Sequence, residues 1–385
     1  MSVLGRRASA AAAGAVGLLS LAVLAQASTT TVAKTPLASI QTNGRVYGIT
    51  TYGTTAYLVG SFTRVRPAGA APGTAQVVRN HAAAVSLTTG KLLPWHAGTN
   101  GAVHAVVVNA SGVYMAGDFT TESGSPAIRL VEVNRSTGAR VTSFKGRANN
   151  EVDALALSGS GTLYAGGLFT FVDHSNRSHI AALSATTGGL VRGWSAATDG
   201  WVQALAMTAD HSKLIVGGSF ATVDGSSQAS IAALNPASGR LVSWAASYPM
   251  AVRSLVTDGS GVYAGVGGAG GTLEAFNPSS GNIMWTDGTD GDVQALALMG
   301  GVLYAGGHFT VFCGPGVGAQ SCPNAVPRLK LFAVTESNGA LLGWHPDPNS
   351  VLGVFAMHAG DSTITAGGDF TKVAGRAQQG FAMFR

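Results

Sequence analysis

One pattern recurs along most of this chain and limits what it can fold into. An aliphatic residue opens each copy, at Val46, Val103, Val152, Val202, Val252, Val293 and Leu352, with spacings of 57, 49, 50, 50, 41 and 59 residues. An aromatic stands eight residues before six of these openings, at Trp95, Phe144, Trp194, Trp244, Trp285 and Trp344. A third landmark, Gly-x-Phe, ends at Phe62, Phe119, Phe169, Phe220, Phe309 and Phe370 and is absent from the fifth and shortest copy. Repeats of this length mean a stack or ring of identical units, none of which can bury its apolar face alone.

Each copy holds four pieces with strand character. In the third they are "VDALAL", "TLYAGGLFT", "IAALS" and "LVRGW". Apolar residues alternating with period two, bounded by Gly, Asn and Asp, mark β-strands. With 54 Gly and only 11% charged residues, the chain fits neither a helical bundle nor a disordered segment. Four strands per repeat and seven repeats predict an all-β fold: a single seven-bladed β-propeller of four-stranded blades over residues 37–385.

Closure follows from the ends. The last copy stops at "FAMFR", its third strand. Near the N-terminus, Leu37–Val46 ("LASIQTNGRV") aligns with Pro94–Val103 ("PWHAGTNGAV"). The N-terminal strand is therefore expected to complete the last blade, so that the ring carries no open edge.

The combination V-x-A-L-A, L-Y-x-G-G-x-F-T, I-A-A-L, T-G and Trp resembles a family of secreted bacterial β-propellers with delta-sixty-type (GG-x-FT) repeats. The likeness spans residues 37–385. It implies the propeller fold and no particular activity, because the family carries no established catalytic residues to transfer.

Residues 1–27 have the layout of a secretory signal peptide: Arg6 and Arg7, an apolar run from Ala8 to Leu24, and a small-x-small site ending at Ala27. Residues 28–36 read as a short linker. The expected location is secreted, extracellular or cell-envelope associated, with no membrane span in the mature chain. The twin arginine leaves the export route open between the general secretory and twin-arginine systems. Outside the cell, Cys313 and Cys322 are expected to form a disulfide. The formal net charge is +5, two units of which belong to Arg6 and Arg7, and no basic cluster of the kind nucleic acid requires is present. We expect a monomer.

In a propeller the first strand of each blade lines the central channel. The long, variable loops join second to third strands, and they share a face with the connections between blades. Binding residues concentrate on variable loops held by a rigid scaffold. The second position of the first strands reads Tyr47, His104, Asp153, Gln203, Arg253, Gln294 and Gly353. Six of the seven are polar inside otherwise apolar strands, and a dry core would make each costly. They are ligand-binding candidates at the channel mouth, the alternative being harmless channel lining. Trp201 and Tyr248, in the inter-blade connections, are candidates for stacking on a sugar ring or for plain loop anchors.

Asp287, Asp290 and Asp292 in "DGTDGD" offer oxygen ligands for Ca²⁺ but lack the downstream Glu of the familiar loop. No other cofactor is implied. Arg79, Arg177, Arg328, Gln228 and Gln378 recur at one repeat position and read as backbone hydrogen-bond donors. Asp118 and Asp369 share another, before the Phe of the GDFT motif.

Nucleophile-elbow, zinc-protease and P-loop motifs are absent from the sequence. The leading expectation is a non-catalytic module that binds an extracellular glycan, peptide or protein on the long-loop face. The alternative is an extracellular hydrolase or lyase acting on a polysaccharide, with Asp153, His104 and Arg253 at the channel mouth.

Overall fold

A computed structural model describes residues 29–268, 270–316, 322–323 and 325–385. The expected signal peptide, 1–27, lies outside them. The fold is all-β and resembles a β-propeller scaffold. Seven of the antiparallel sheets among the described residues start with an inner strand. These inner strands are Val46–Tyr52, Val103–Val108, Val152–Leu157, Trp201–Met207, Val252–Thr257, Val293–Met299 and Val354–Ala359. Each packs on the inner strand of the next sheet, and the last packs on the first.

The Gly-Gly pair explains how closely the sheets approach. In the third unit a Cβ on Gly166 would strike the Val202 side chain of the following sheet, and one on Gly167 would strike the carbonyl oxygen of Glu151 in its own sheet. The opening valines are the complementary knobs: Val152, Val202 and Val354 are fully buried. Each contributes about 1.5–3 kcal/mol relative to an exposed side chain. The apolar clusters straddle neighbouring units. One joins Tyr114 and Ala116 to Val152 and Leu163, and another joins Ala356 and Phe381 to Val46 and Leu58. The second of these couples the end of the chain to its beginning.

The outermost piece of each unit differs from the expected strand. Only in the fifth unit does it form a full fourth strand, Ile283–Thr289 beside Gly271–Phe276. In five others the sheet is three-stranded, and the outer segment joins through a single bridge such as Val85↔Leu92 or Leu183↔Leu190. The stretch from turn glycine to tryptophan is longer there (Gly90–Trp95, Gly239–Trp244, Gly339–Trp344) than in the fifth unit (Gly281–Trp285). Trp95, Trp194 and Trp344 are buried against tyrosines of the same unit.

The Thr of the Gly-x-Phe-Thr landmark has a local explanation. The Asn100 side chain accepts hydrogen bonds from Thr120 N (2.8 Å) and Thr121 N (2.9 Å) and donates to Thr120 Oγ1 (2.9 Å). Asn43, Asn149, Asp199, Asp290 and Asn349 repeat the acceptor part in their units. An Asx side chain thus clips each connection onto the loop hairpin beside it.

The seventh unit opens two residues later than the sequence spacing implied. Val354, not Leu352, pairs with the second Gly of the motif (Gly368) and fills the site beside Gly306. Val354 is fully buried, whereas Leu352 is 40% exposed. Trp344 and Asn349 keep the common spacing to position 352, so the two extra residues lie between Asn349 and Val354. An aromatic landmark upstream of an insertion cannot register it.

Residues 32–36, expected as linker, are partly pinned. Ala33 N donates to Arg385 O (3.0 Å) and Leu37 N to Met383 O (2.8 Å). Val32 N donates to Tyr304 Oη (3.1 Å). Cys313 and Cys322 are disulfide-bonded, with Cα atoms 4.6 Å apart. Among the described residues no helix is long and apolar enough to cross a membrane.

Candidate functional site

The residue after the opening valine of every inner strand is displaced by a β-bulge. In the second unit Val103 pairs with Gly117 and Ala105 with Ala116, which leaves His104 as the extra residue. The same shift isolates Tyr47, Asp153, Gln203, Arg253, Gln294 and, in the corrected register, Phe355 in place of Gly353. A bulge turns a side chain out of the ladder, and here all seven turn into one space. All seven line a cavity of about 420 Å³. Glu151, Trp201 and Asp292 complete its wall. Further in, the space is walled by aliphatic residues such as Leu155, Leu205, Leu255 and Leu296.

Strand alternation accounts for the additions. Glu151, Trp201 and Asp292 immediately precede a buried opening valine, so they share the face of the residue after it. This signal was present in the sequence, and Glu151 was missed by reading only the position after each valine. Phe355 was missed through the register error. Asp118 was noted only as a repeat-mate of Asp369.

One side of the cavity is dominated by His104. Its Nδ1 lies 2.7 Å from Asp153 Oδ1 and 3.0 Å from Glu151 Oε1, and its Nε2 lies 3.4 Å from Asp118 Oδ2. Trp201 Nε1 donates to Asp153 Oδ2 at 2.7 Å. The indole is therefore fixed by a hydrogen bond while lining the cavity. Tyr47 meets the His104 and Phe355 rings edge-on, each at 5.6 Å between centroids. Burial alone would lower the His104 pKa, but the hydrogen bond and charge of Asp153 and the charges of Asp118 and Glu151 raise it above the ordinary value. Glu151 is also pushed up, first by burial and then by the charge of Asp153.

The other side is set by Arg253, whose Nη2 is 3.6 Å from Asp292 Oδ2, while Asp292 Oδ1 accepts from Gly268 N at 2.9 Å. Gln203 Oε1 accepts from Ser219 Oγ at 3.1 Å. Arg253 Nε and Gln294 Oε1 have no hydrogen-bond partner within the protein.

Tyr248 does not line this cavity. Its hydroxyl donates to Glu274 Oε1 at 2.6 Å and lies 3.0 Å from Thr272 Oγ1. It anchors its loop inside the fifth unit, because a buried carboxylate there requires a donor. The three Ca²⁺ candidates separate into unrelated roles. Asp287 is buried in the outer strand of the fifth unit, Asp290 is the Asx clip of the sixth, and Asp292 faces the cavity. Among the described residues the grouping of potential ligands is instead His104, Asp118 and Glu151. The recurring Arg and Gln residues do donate to main-chain carbonyls: Arg79 to Leu93 O and Gln378 to Ile40 O, for example.

No protein-family model and no curated protein matches this chain. Solved structures do. The WD40 β-propeller domain of Doa1 superposes with a TM-score of 0.59 at 11% identity, over 91% of this chain and 96% of that one. The computationally designed Ika8 protein superposes with a TM-score of 0.54 at 14% identity, over 90% of this chain and 98% of that one. At such identities the likeness concerns the fold alone: a propeller-like scaffold.

Proposed function

We propose that this protein is a secreted, non-catalytic binding module that captures a polar extracellular ligand, a glycan before a peptide or protein, in the cavity ringed by the bulged residues. The observation that carries this reading is the convergence of Tyr47, His104, Asp153, Gln203, Arg253, Gln294 and Phe355 from all seven sheets on one space of about 420 Å³. Small-ligand sites combine apolar walls with a few convergent polar groups. Here the ring faces of Trp201, Tyr47 and Phe355 supply the walls. Gln203, Arg253 and Gln294 supply polar side chains along the cavity wall.

The polysaccharide hydrolase or lyase reading draws support from the His104–Asp153 contact and from the raised pKa of Glu151. It is the weaker one, because both imidazole nitrogens are turned to carboxylates and neither is presented to a substrate.

The wider architecture belongs to the same proposal. The sheets are seven blades of one propeller, closed by the N-terminal segment. Gln378 Nε2 donates to Ile40 O in the seventh unit as Gln228 Nε2 donates to Ala246 O in the fourth, a parallel that supports reading Ile40 as part of an outer segment. The GG-x-FT repeat supports membership of the delta-sixty-type family, and the layout of residues 1–27 supports export.

The test is a thermal-shift and calorimetric screen of the chain from Ser28 against a glycan panel. A ligand that binds only the folded state raises the melting temperature by mass action. Arg253→Ala and Gln294→Ala are expected to abolish the shift. Binding that survives both substitutions would refute the site.

A further inference from the structure

His104 stands among three carboxylates that a neutral imidazole cannot satisfy. A neutral imidazole has one N–H and one lone pair. Nδ1 stands between two carboxylate oxygens, of Asp153 at 2.7 Å and Glu151 at 3.0 Å, and Nε2 faces a third, of Asp118, at 3.4 Å. Whichever tautomer forms, a lone pair points at a carboxylate. Among the described residues the guanidinium paired with the cluster is that of Arg129, whose Nη1 is 3.9 Å from Asp118 Oδ1. Three carboxylates around one imidazole and one guanidinium make an acidic group that favours a bound cation.

We propose that His104, Asp118 and Glu151 bind one divalent transition-metal ion of the zinc class in the cavity wall. A ring nitrogen of His104 and one oxygen from each carboxylate already lie within 4.8 Å of one another. Metal–ligand bonds of about 2.0–2.2 Å in tetrahedral geometry place neighbouring ligand atoms roughly 3.4 Å apart. The Nε2–Asp118 separation of 3.4 Å already has that value. Asp118 is 47% exposed at its side chain, so it has room to adjust.

Asp153 is the group that orients the imidazole. It takes the Nδ1 proton and is itself held by Trp201 Nε1 at 2.7 Å. Nε2 is then the metal donor beside Asp118, and Glu151, which stands against Nδ1 at 3.0 Å, turns its carboxylate to the Nε2 side to complete the set, in the arrangement by which carboxylates fix metal-binding histidines. The imidazole nitrogen favours zinc-class ions over Ca²⁺ or Mg²⁺, which prefer all-oxygen shells. Three protein ligands leave a coordination position open towards the cavity. The metal site shares His104 and Glu151 with the cavity of the ligand reading, and the two are told apart by Arg253 and Gln294, which take no part in metal binding.

The experiment is equilibrium dialysis and calorimetry with ZnCl₂ on tag-free, chelator-treated protein, with Co²⁺ visible absorption as the spectroscopic readout. One ion per chain is expected. His104→Ala and Asp118→Asn should each weaken binding at least tenfold, and their metal-free melting curves should overlay that of the parent. His345→Ala removes the surface His345–Asp347 pair, which lies 2.9 Å apart. It should bind like the parent, as should Arg253→Ala. Absence of saturable uptake would overturn the proposal. So would parental affinity in His104→Ala, or loss of the site in His345→Ala.

Discussion

Asp287 offers a demanding test of how this fold tolerates a charge. It sits on the outer strand of the fifth unit, 1% exposed, with fully buried Glu274 on the adjoining strand. Glu274 is provided for: Tyr248 and Thr286 each donate to it at 2.6 Å. Asp287 is not, since its Oδ2 has no partner. Burial first, and the charge of Glu274 second, push the Asp287 pKa up from 3.8 to about 7. At about 1.4 kcal/mol per pH unit, ionising it in the folded state costs up to roughly 4 kcal/mol relative to the unfolded chain. The sign follows from the raised folded-state value. No cost exists below about pH 4, where both states are protonated, and the cost grows as pH rises through 7. Roughly 2–3 kcal/mol of it accrues between pH 5 and pH 8. Asp287→Asn keeps the shape and removes the charge. Urea unfolding of parent and variant at both pH values isolates this residue from every other titrating group. The variant's advantage should be larger at pH 8 than at pH 5 by that amount. Near pH 8 it should appear as a rise of about 5 °C in melting temperature for a chain of this size. If the two proteins keep parallel pH profiles, Asp287 is not forced to hold its proton and the reasoning fails.

Three further outcomes are expected. The register of the seventh unit predicts that Val354→Ala costs about 2 kcal/mol, whereas Leu352→Ala stays within about 0.5 kcal/mol; equal effects in chemical denaturation would overturn the two-residue insertion. Tyr248→Phe should destabilise by about 1–3 kcal/mol, because it strips a donor from buried Glu274, while leaving ligand and metal binding untouched; lost binding with unchanged stability would return Tyr248 to the site. Asn100→Ala should cost about 1 kcal/mol by freeing two main-chain amides of its hairpin, seen as faster amide exchange at Thr120 and Thr121; unchanged exchange would remove the Asx clip as the reason for the repeated Thr.

Local chemistry was legible in the chain as far as it repeats. Seven copies of one strand pattern imply seven similar sheets, since each copy meets the same neighbours. The polar residue after each opening valine was conspicuous because a lone polar side chain in an apolar strand needs an outlet. Glu151 needed only the period-two rule. Asp290 and Asp287 show the limit: three aspartates within six residues look like one ligand set. Strand alternation and the connection's turn send them to an Asx clip, a buried sheet position and the cavity wall.

The sequence by itself determined the repeat, the strand composition of each unit and the polar identity of six ring positions, because these rest on spacing and on the cost of burying polar groups. Tertiary structure alone decided that the outer segments are mostly single bridges, that the seventh unit opens at Val354, and that His104 collects Asp118, Glu151 and Asp153 around it. Those three carboxylates come from two neighbouring sheets, and no periodicity within either records which side chains meet between them. That meeting depends on the bulge that turns each residue inward and on the packing of glycine against valine that sets how near the sheets stand.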